Sequence, residues 1–360
     1  MHKFSINRLN VSLLLPAVLI VLFGLSSFYS IDFSVFSQQL LFLGISLIAY
    51  FVFLNIDYRI FGLYSKQMYF VMIGLLLLLF FIGIEARGAV RWIDIFGVRL
   101  QFSEIIKPFF IIFMAKFLTS NDSRSFSKFI QVLLLTMPIF ILTLKQPDLG
   151  NALVYLFTVI FMLFVYGFPF SYFLGLGAAV IIPFPIIFNF LHDYQKERIL
   201  TFLDPTRDPF GSSYNAVQSL ISIGSGGFFG KGFGQATQSI LKFLPERHTD
   251  FIFATISENL GFVGAMALLA IYGFLLFKIY KVAQSVNDNF SHMVIIGFYF
   301  LFLTHIFLNV GMNLGIVPIV GITLPFASYG GSSLLTSFII LGMISSVRFD
   351  HGKLRSMEIG

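Results

Sequence analysis

Long apolar stretches dominate the chain, and polar residues are confined to the segments between them. A helix needs about 20 mostly apolar residues to cross a bilayer, and about 17 suffice. Ten stretches meet that length: 10–30, 36–55, 67–84, 103–119, 128–145, 150–167, 170–190, 251–277, 293–315 and 331–347. They are too long and too uniformly apolar for barrel strands. A spanning segment must also bond its own backbone groups, so each is expected to be a helix. The expected fold class is all-α, a polytopic membrane protein of about ten transmembrane helices. Residues 1–360 form a single domain, and 191–250 is one long loop between the seventh and eighth helices.

Composition removes the soluble alternatives. Hydrophobic residues make up 57% of the chain and charged ones 11%, so 23 Lys+Arg and 17 Asp+Glu cannot coat a soluble core of this size. The apolar excess runs from end to end, which also excludes a single anchor carrying a globular domain. Cys is absent, so there are no disulfides, thiolate metal sites or Cys nucleophiles. A net charge of +6 would suggest nucleic acid in a soluble protein. Here it reads as orientation charge, and no nucleic-acid partner is expected. The first span follows Lys3 and Arg8 as in a signal peptide. No A-x-A-like cleavage site follows it, so it reads as an uncleaved helix.

An even number of spans puts both termini on one side. With that side cytoplasmic, twelve basic residues lie inside: Lys3, Arg8, Arg59, Lys66, Lys116, Arg124, Lys128, Lys278, Lys281, Arg348, Lys353 and Arg355. The short outer segments hold five, Arg87, Arg91, Arg99, Lys107 and Lys145. The remaining six lie in the long loop and are discounted. The bias favours cytoplasmic termini and an extracytoplasmic 191–250 loop.

In so apolar a chain, the placement of charge is informative. One cluster runs from Glu85 through Arg91, Trp92 and Asp94 to Arg99, Gln101, Ser103, Glu104 and Lys107. Glu104 and Lys107 are three apart and share a helix face. They are either a salt-bridged helix start or the wall of a polar cavity. Trp92, the only Trp, suits either an interfacial anchor or a site. In Lys145-Gln-Pro-Asp148-Leu-Gly150, Pro147 breaks the helix and Asp148 can cap the next one. The long loop carries Gly224-Ser-Gly-Gly and Gly230-Lys231-Gly232. A P-loop is excluded, because Ser225 stands where its first Gly belongs and Gly232 where its Ser or Thr belongs. The segment either lets backbone N–H groups approach a ligand or membrane surface closely or is a flexible turn. Glu258 and Asn259 lie inside the eighth span, and His305, Asn309 and Asn313 form one polar stripe in the ninth. Such stripes commonly join helices. Pro318 to Pro325 with Ser328-Tyr-Gly-Gly-Ser-Ser333 suits a re-entrant or capping loop.

Several of these segments, in order, resemble the SEDS family (shape, elongation, division and sporulation) of bacterial polytopic proteins. The motifs are Arg91-Trp-Ile93, Lys145-Gln-Pro-Asp-Leu-Gly150, the Phe-Leu-Asp-Pro run ending at Pro205, the two glycine motifs, Pro245-Glu-Arg-His-Thr-Asp-Phe-Ile-Phe253 and Pro325-Phe-Ala-Ser-Tyr-Gly-Gly-Ser-Ser333. The Glu246-to-Asp250 wording and Asn309-Val-Gly-Met312 lean towards the elongation branch. The resemblance implies a peptidoglycan glycosyltransferase that polymerises lipid II at the outer face of the bacterial cytoplasmic membrane. It also implies a class B penicillin-binding protein as transpeptidase partner, alongside other elongation-complex membrane proteins. By the same resemblance Asp250 matches the acidic residue taken as catalytic, Trp92 matches a position tied to activity, and Glu104 with Lys107 matches a charged pair lining a central cavity.

The chemistry asks for a base to activate a sugar hydroxyl, and a carboxylate is the usual choice. Asp57, Asp122, Asp288, Asp350 and Glu358 fall on the expected inner side. Asp32 sits in a short loop with no polar company, and Asp204 and Asp208 each precede Pro, where a turn role suffices. Asp250 sits where a polar loop meets an apolar helix, which would raise its pKa. Glu258, two turns on, could border the same cavity. The leaving group, an undecaprenyl pyrophosphate, calls for cations. Outer candidates are Arg91, Lys107, Lys145, Arg198, Arg207, Lys231 and Arg247. Asp148, His248 and Ser328 complete the expected substrate contacts. No metal-ligand motif is present, and a divalent cation held by carboxylates such as Asp250 stays open. Two rivals stand beside the enzyme: a lipid-linked sugar flippase, and a scaffold that activates its penicillin-binding protein.

Overall fold

The computed structural model describes residues 10–86, 89–95, 98–190, 193–204, 208, 211 and 213–358. The chain runs α1 (Val11–Ile31), α2 (Phe33–Asn55), α3 (Tyr58–Leu63), α4 (Ser65–Ile82), then β1 (Ile84–Ala86), β2 (Ala89–Ile95) and β3 (Val98–Leu100). It continues with α5 (Phe102–Ile105), α6 (Lys107–Thr119), α7 (Phe126–Lys145), α8 (Leu149–Tyr166), α9 (Phe170–Ile181) and α10 (Phe184–Phe190). After these come α11 (Asp193–Leu203), α12 (Tyr214–Ser225), α13 (Thr237–Ile240), α14 (Ile252–Gln284), α15 (Asn289–Asn313) and α16 (Gly331–Glu358).

Helix occupies every expected span, and the protein is an α-helical, multi-pass membrane protein. Three spans are broken, two of them into separately numbered helices. The 103–119 stretch divides at Ile106 into α5 and α6, with Pro108 in the first turn of α6, where its missing N–H costs nothing. The 170–190 stretch divides between α9 and α10 at Pro183. The addition that the apolar pattern did not show is an antiparallel sheet in the order β1-β2-β3. Trp92 is registered opposite Ile84, and Asp94 opposite Arg99.

Burial separates the central helices from the lipid-facing ones. α15 is buried over most of its length, between α6, α8 and α14, and leaves Phe307 exposed. Its polar stripe of His305, Asn309 and Asn313 is turned into the protein, away from lipid. The buried residues of α2 are Gln39, Ser46, Tyr50 and Leu54, a single stripe at helical spacing that meets α16. Elsewhere on α2, Leu40, Leu41, Ile45 and Ile48 are exposed apolar surface suited to lipid.

α14 is two helices joined at Gly261, whose backbone is non-helical (φ 67°, ψ −165°), a conformation open essentially to Gly alone. The glycine-rich segment docks on this break. Lys231 N–H and Gly232 N–H donate to the carbonyls of Glu258 and Asn259, both at 3.0 Å. In return Phe262 N–H and Val263 N–H donate to Gly227 O at 2.9 Å and Phe228 O at 3.1 Å. A Cβ on Gly261 would lie 2.2 Å from Gly230 N. The close approach expected towards a ligand or membrane surface is made instead to α14. The backbone groups freed by the kink are satisfied inside the protein, as the membrane interior requires.

Candidate active site

A polar cavity of about 190 Å³ opens where β2, α5, the start of α8, the turn before α14 and the 320–333 segment converge. Arg91 and Trp92 enter from β2, and Gln101 and Glu104 from the β3–α5 junction. Pro147 comes from the break before α8 and Asn151 from its first turn, and Glu246, Thr249 and Asp250 come from the turn before α14. The remaining wall runs from Val320 to Thr323 and includes Tyr329, Gly330, Ser332 and Ser333.

Asp250 is half-buried at this cavity. Its main-chain carbonyl accepts Asn309 Nδ2 at 2.9 Å and Asn313 Nδ2 at 3.0 Å. Across from its carboxylate stands Gly321 (φ 69°), where an added Cβ would come within 3.4 Å of Asp250 Oδ2. Glu246 shares the wall, its Oε2 accepting the Thr249 hydroxyl at 3.1 Å.

Behind the wall lies a buried charge group. Lys107 is 0% exposed and donates to Glu104 Oε1 at 2.7 Å, with His305 Nε2 at 2.8 Å. An ammonium has no lone pair, so His305 Nε2 is the acceptor and its Nδ1–H faces Thr323 O at 3.3 Å. Glu104 therefore lines the cavity while Lys107 sits one layer deeper. Asp148 is the second buried anchor. It caps α8 through Asn151 N–H at 3.2 Å, and its Oδ2 accepts Gln101 Nε2 at 2.6 Å, Asn151 Nδ2 at 2.9 Å and Ser103 Oγ at 3.2 Å. Arg91 Nη1 lies 3.8 Å from its Oδ1. The cap is thus also the brace for three residues of the cavity wall.

The other expected site residues fall outside the lining. Glu258 is fully buried and does not share the cavity with Asp250. Its carboxylate accepts Lys231 Nζ (3.1 Å), Gln238 N–H (2.9 Å), Ser239 N–H (3.1 Å) and Ser239 Oγ (2.7 Å). Lys231 is accordingly held away from the cavity. Ser328 is buried, its hydroxyl donating to Thr249 O at 2.6 Å. Lys145 is exposed at the end of α7. The Arg198 side chain and all of Arg207 lie outside the described residues. His248 stands edge-on to Phe28 with ring centroids 5.8 Å apart. Burial, reinforced by the neighbouring Arg247 charge and opposed by Asp32, holds His248 down to about 4. Asp32, expected to be isolated, in fact caps α2 through Ser34 N–H at 2.9 Å and faces this pair. Of the expected outer cations, Arg91 alone lines the cavity among the described residues.

Next to the polar cavity, and sharing Val320 with it, is an apolar cavity of about 790 Å³. Phe140, Leu153, Phe157, Phe161, Leu303 and Phe307 form much of its wall, and Phe184 and Ile199 close it from α10 and α11. Among the described residues, no three His, Asp or Glu side chains gather into a metal-binding group.

Fold and cavity together define a polytopic membrane protein with a carboxylate-bearing polar chamber at the mouth of a span and an apolar chamber beside it. The profile of the FTSW_RODA_SPOVE family (cell cycle protein) matches residues 6–352, and the chain belongs to that family. It is 39% identical over 281 residues to the peptidoglycan glycosyltransferase MrdB of Escherichia coli K12, covering 77% of this chain and 75% of that protein. It is 36% identical over 345 residues to stage V sporulation protein E of Bacillus subtilis strain 168, covering 93% and 94%. Among solved structures it matches a chain from a study of how a peptidoglycan synthase complex coordinates polymerization and crosslinking. The TM-score is 0.83 at 31% identity, covering 95% of this chain and 98% of that one. It also matches the rod shape determining protein RodA of Thermus thermophilus with a TM-score of 0.71 at 28% identity, covering 95% and 97%.

Proposed function

We propose that this chain is a peptidoglycan glycosyltransferase that polymerises lipid II during cell elongation, with the Asp250 cavity as its active site. The observation that carries the reading is Asp250 itself: a half-buried carboxylate at a polar chamber that adjoins an apolar one. Relatives named peptidoglycan glycosyltransferases supply the reaction class.

Asp250 takes the proton from the 4-hydroxyl of the lipid II N-acetylglucosamine. That oxygen attacks the anomeric carbon of the growing strand, the bond to the undecaprenyl pyrophosphate breaks, and the anomeric centre inverts. Arg91 and Trp92 meet the sugars or the departing pyrophosphate, where a guanidinium supports developing negative charge. Glu104 and Asn151 face the same space. Asp148 holds Arg91, Gln101 and Asn151 in place. The apolar cavity takes part of a polyprenyl chain. A hard divalent cation would be held by the carboxylates of Asp250 and Glu246 and would offset the charge of the departing pyrophosphate. Strand synthesis in chelator, with and without added Mg²⁺, tests that cation.

The excess of Lys and Arg on the terminal side supports cytoplasmic termini and a catalytic face outside the bacterial cytoplasmic membrane. The likeness to a peptidoglycan synthase complex supports a class B penicillin-binding protein as partner, within an assembly of elongation proteins. The test is labelled lipid II given to the purified protein, alone and with that partner, with glycan strands resolved on a gel. Strands select the enzyme over a flippase or a scaffold, and their absence in every combination removes this reading.

A further inference from the structure

In an α-helix the N–H of residue 254 would bond to the carbonyl of residue 250. Here one carboxamide stands between the two. Ala254 N–H donates to Asn313 Oδ1 at 3.1 Å, and Asp250 O accepts Asn313 Nδ2 at 3.0 Å. The next rung, Thr255 N–H to Phe251 O at 3.1 Å, is the ordinary helical one, so the interception stands at the first rung before the regular helix. The second N–H of Asn313 donates to Asn309 O at 2.8 Å. Every polar group of the amide is therefore matched, and a flipped amide would set Nδ2 against the Ala254 N–H. Asn309 adds its own donor to Asp250 O and ties it to the cavity wall at Ile322 O, 2.7 Å away. Both asparagines are 0% exposed.

We infer that Asn313, backed by Asn309, is a positioning residue that keeps Asp250 out of helix α14 by occupying both ends of its helical hydrogen bond, and so holds the carboxylate in the cavity. This rests on the reading of Asp250 as the base. That helical bond would make Asp250 the N-cap and Phe251 the first helical residue, and the turn at Phe251 re-aims the Asp250 side chain off the cavity wall. A polar stripe that served only to join helices would not need to sit in this one rung.

The test uses full-length protein with its partner, labelled lipid II, and separate measurement of kcat and KM. Asn313→Ala is expected to lower kcat about a hundredfold, the scale of a small misplacement of a reacting group, and to leave KM unchanged. Asn313→Leu, close in shape and suited to an apolar setting, carries the same comparison if the alanine variant does not fold. Adding Ala254→Pro removes the N–H that would capture Asp250 O, and proline is accommodated in the first helical turn. The double variant is therefore expected to regain most of the lost kcat. Wild-type kcat in both Asn313 variants, or no recovery on adding Ala254→Pro, overturns the inference. Full activity in Asp250→Asn overturns the reading of the site instead. A structure of Asn313→Ala then decides the inference on its own. Ala254 N–H bonded to Asp250 O supports it, and an unchanged Asp250 backbone contradicts it.

Discussion

Ser239 grips Glu258 twice, through its backbone N–H at 3.1 Å and its hydroxyl at 2.7 Å, both to Oε2. With Gln238 N–H and Lys231 Nζ on Oε1, a buried carboxylate inside α14 fastens the segment that leads to Asp250. Glu258→Gln replaces one acceptor oxygen with a donor facing other donors, a loss of about 1–3 kcal/mol. The expected outcome is faster proteolytic nicking between residues 226 and 244 and a lower Tm in detergent. Unchanged nicking and Tm would contradict the fastening.

Gly261 is the other point where this segment is held. Gly261→Ala forces a side chain into a backbone conformation costing about 1–3 kcal/mol. It also brings a Cβ to 2.2 Å from Gly230 N, so the glycine segment must lift. Gly44→Ala, where an added Cβ meets nothing within 4 Å, is the control. A fall in Tm confined to the Gly261 variant is expected, and equal values for the two would contradict the docking.

Lys107 is fully buried between Glu104 and His305. Removing one partner of a buried pair leaves the other charge uncompensated, at about 3–5 kcal/mol. Lys107→Met should therefore lower Tm strongly, and adding Glu104→Gln should recover part of the loss. A double variant no more stable than Lys107→Met would argue against the coupling.

His248 sets a pH dependence of stability. Its folded value of about 4 lies below the ordinary 6.5, so the folded form binds fewer protons between those values. Its contribution is fully present above about pH 6.5 and falls away as pH drops towards 4. His248→Gln is expected to flatten the Tm profile across that window, and a profile parallel to wild type would show that His248 has no such effect.

The spans and the main site motifs were legible because the bilayer imposes a length and a polarity that one chain displays directly. The breaks at Ile106 and Pro183, and the β1–β3 sheet, were not, because short strands and local kinks hardly alter an apolar average. In the site, Asp250, Arg91, Trp92 and Glu104 stood out by charge or rarity. Gln101, Asn151, Thr249 and Glu246 line the same cavity yet carry no distinguishing spacing, since residues from five separate segments meet only after folding. Glu258 read as a site residue because sequence shows charge inside an apolar span but not its partner, and Lys231 because it is a cation of the long loop whose partner sequence does not show. The His305, Asn309 and Asn313 stripe was visible as a stripe. That two of its amides hold the backbone of Asp250 depends on which element packs against it.

The most direct measurement is the rate of lipid II polymerisation by Asp250→Asn, an isosteric change, compared with wild type at matched Tm and with the partner present. Loss of a general base lowers the rate by about 10²–10⁴-fold, and that is the result the account predicts. Glycan strands made by a correctly folded Asp250→Asn at the wild-type rate would contradict it.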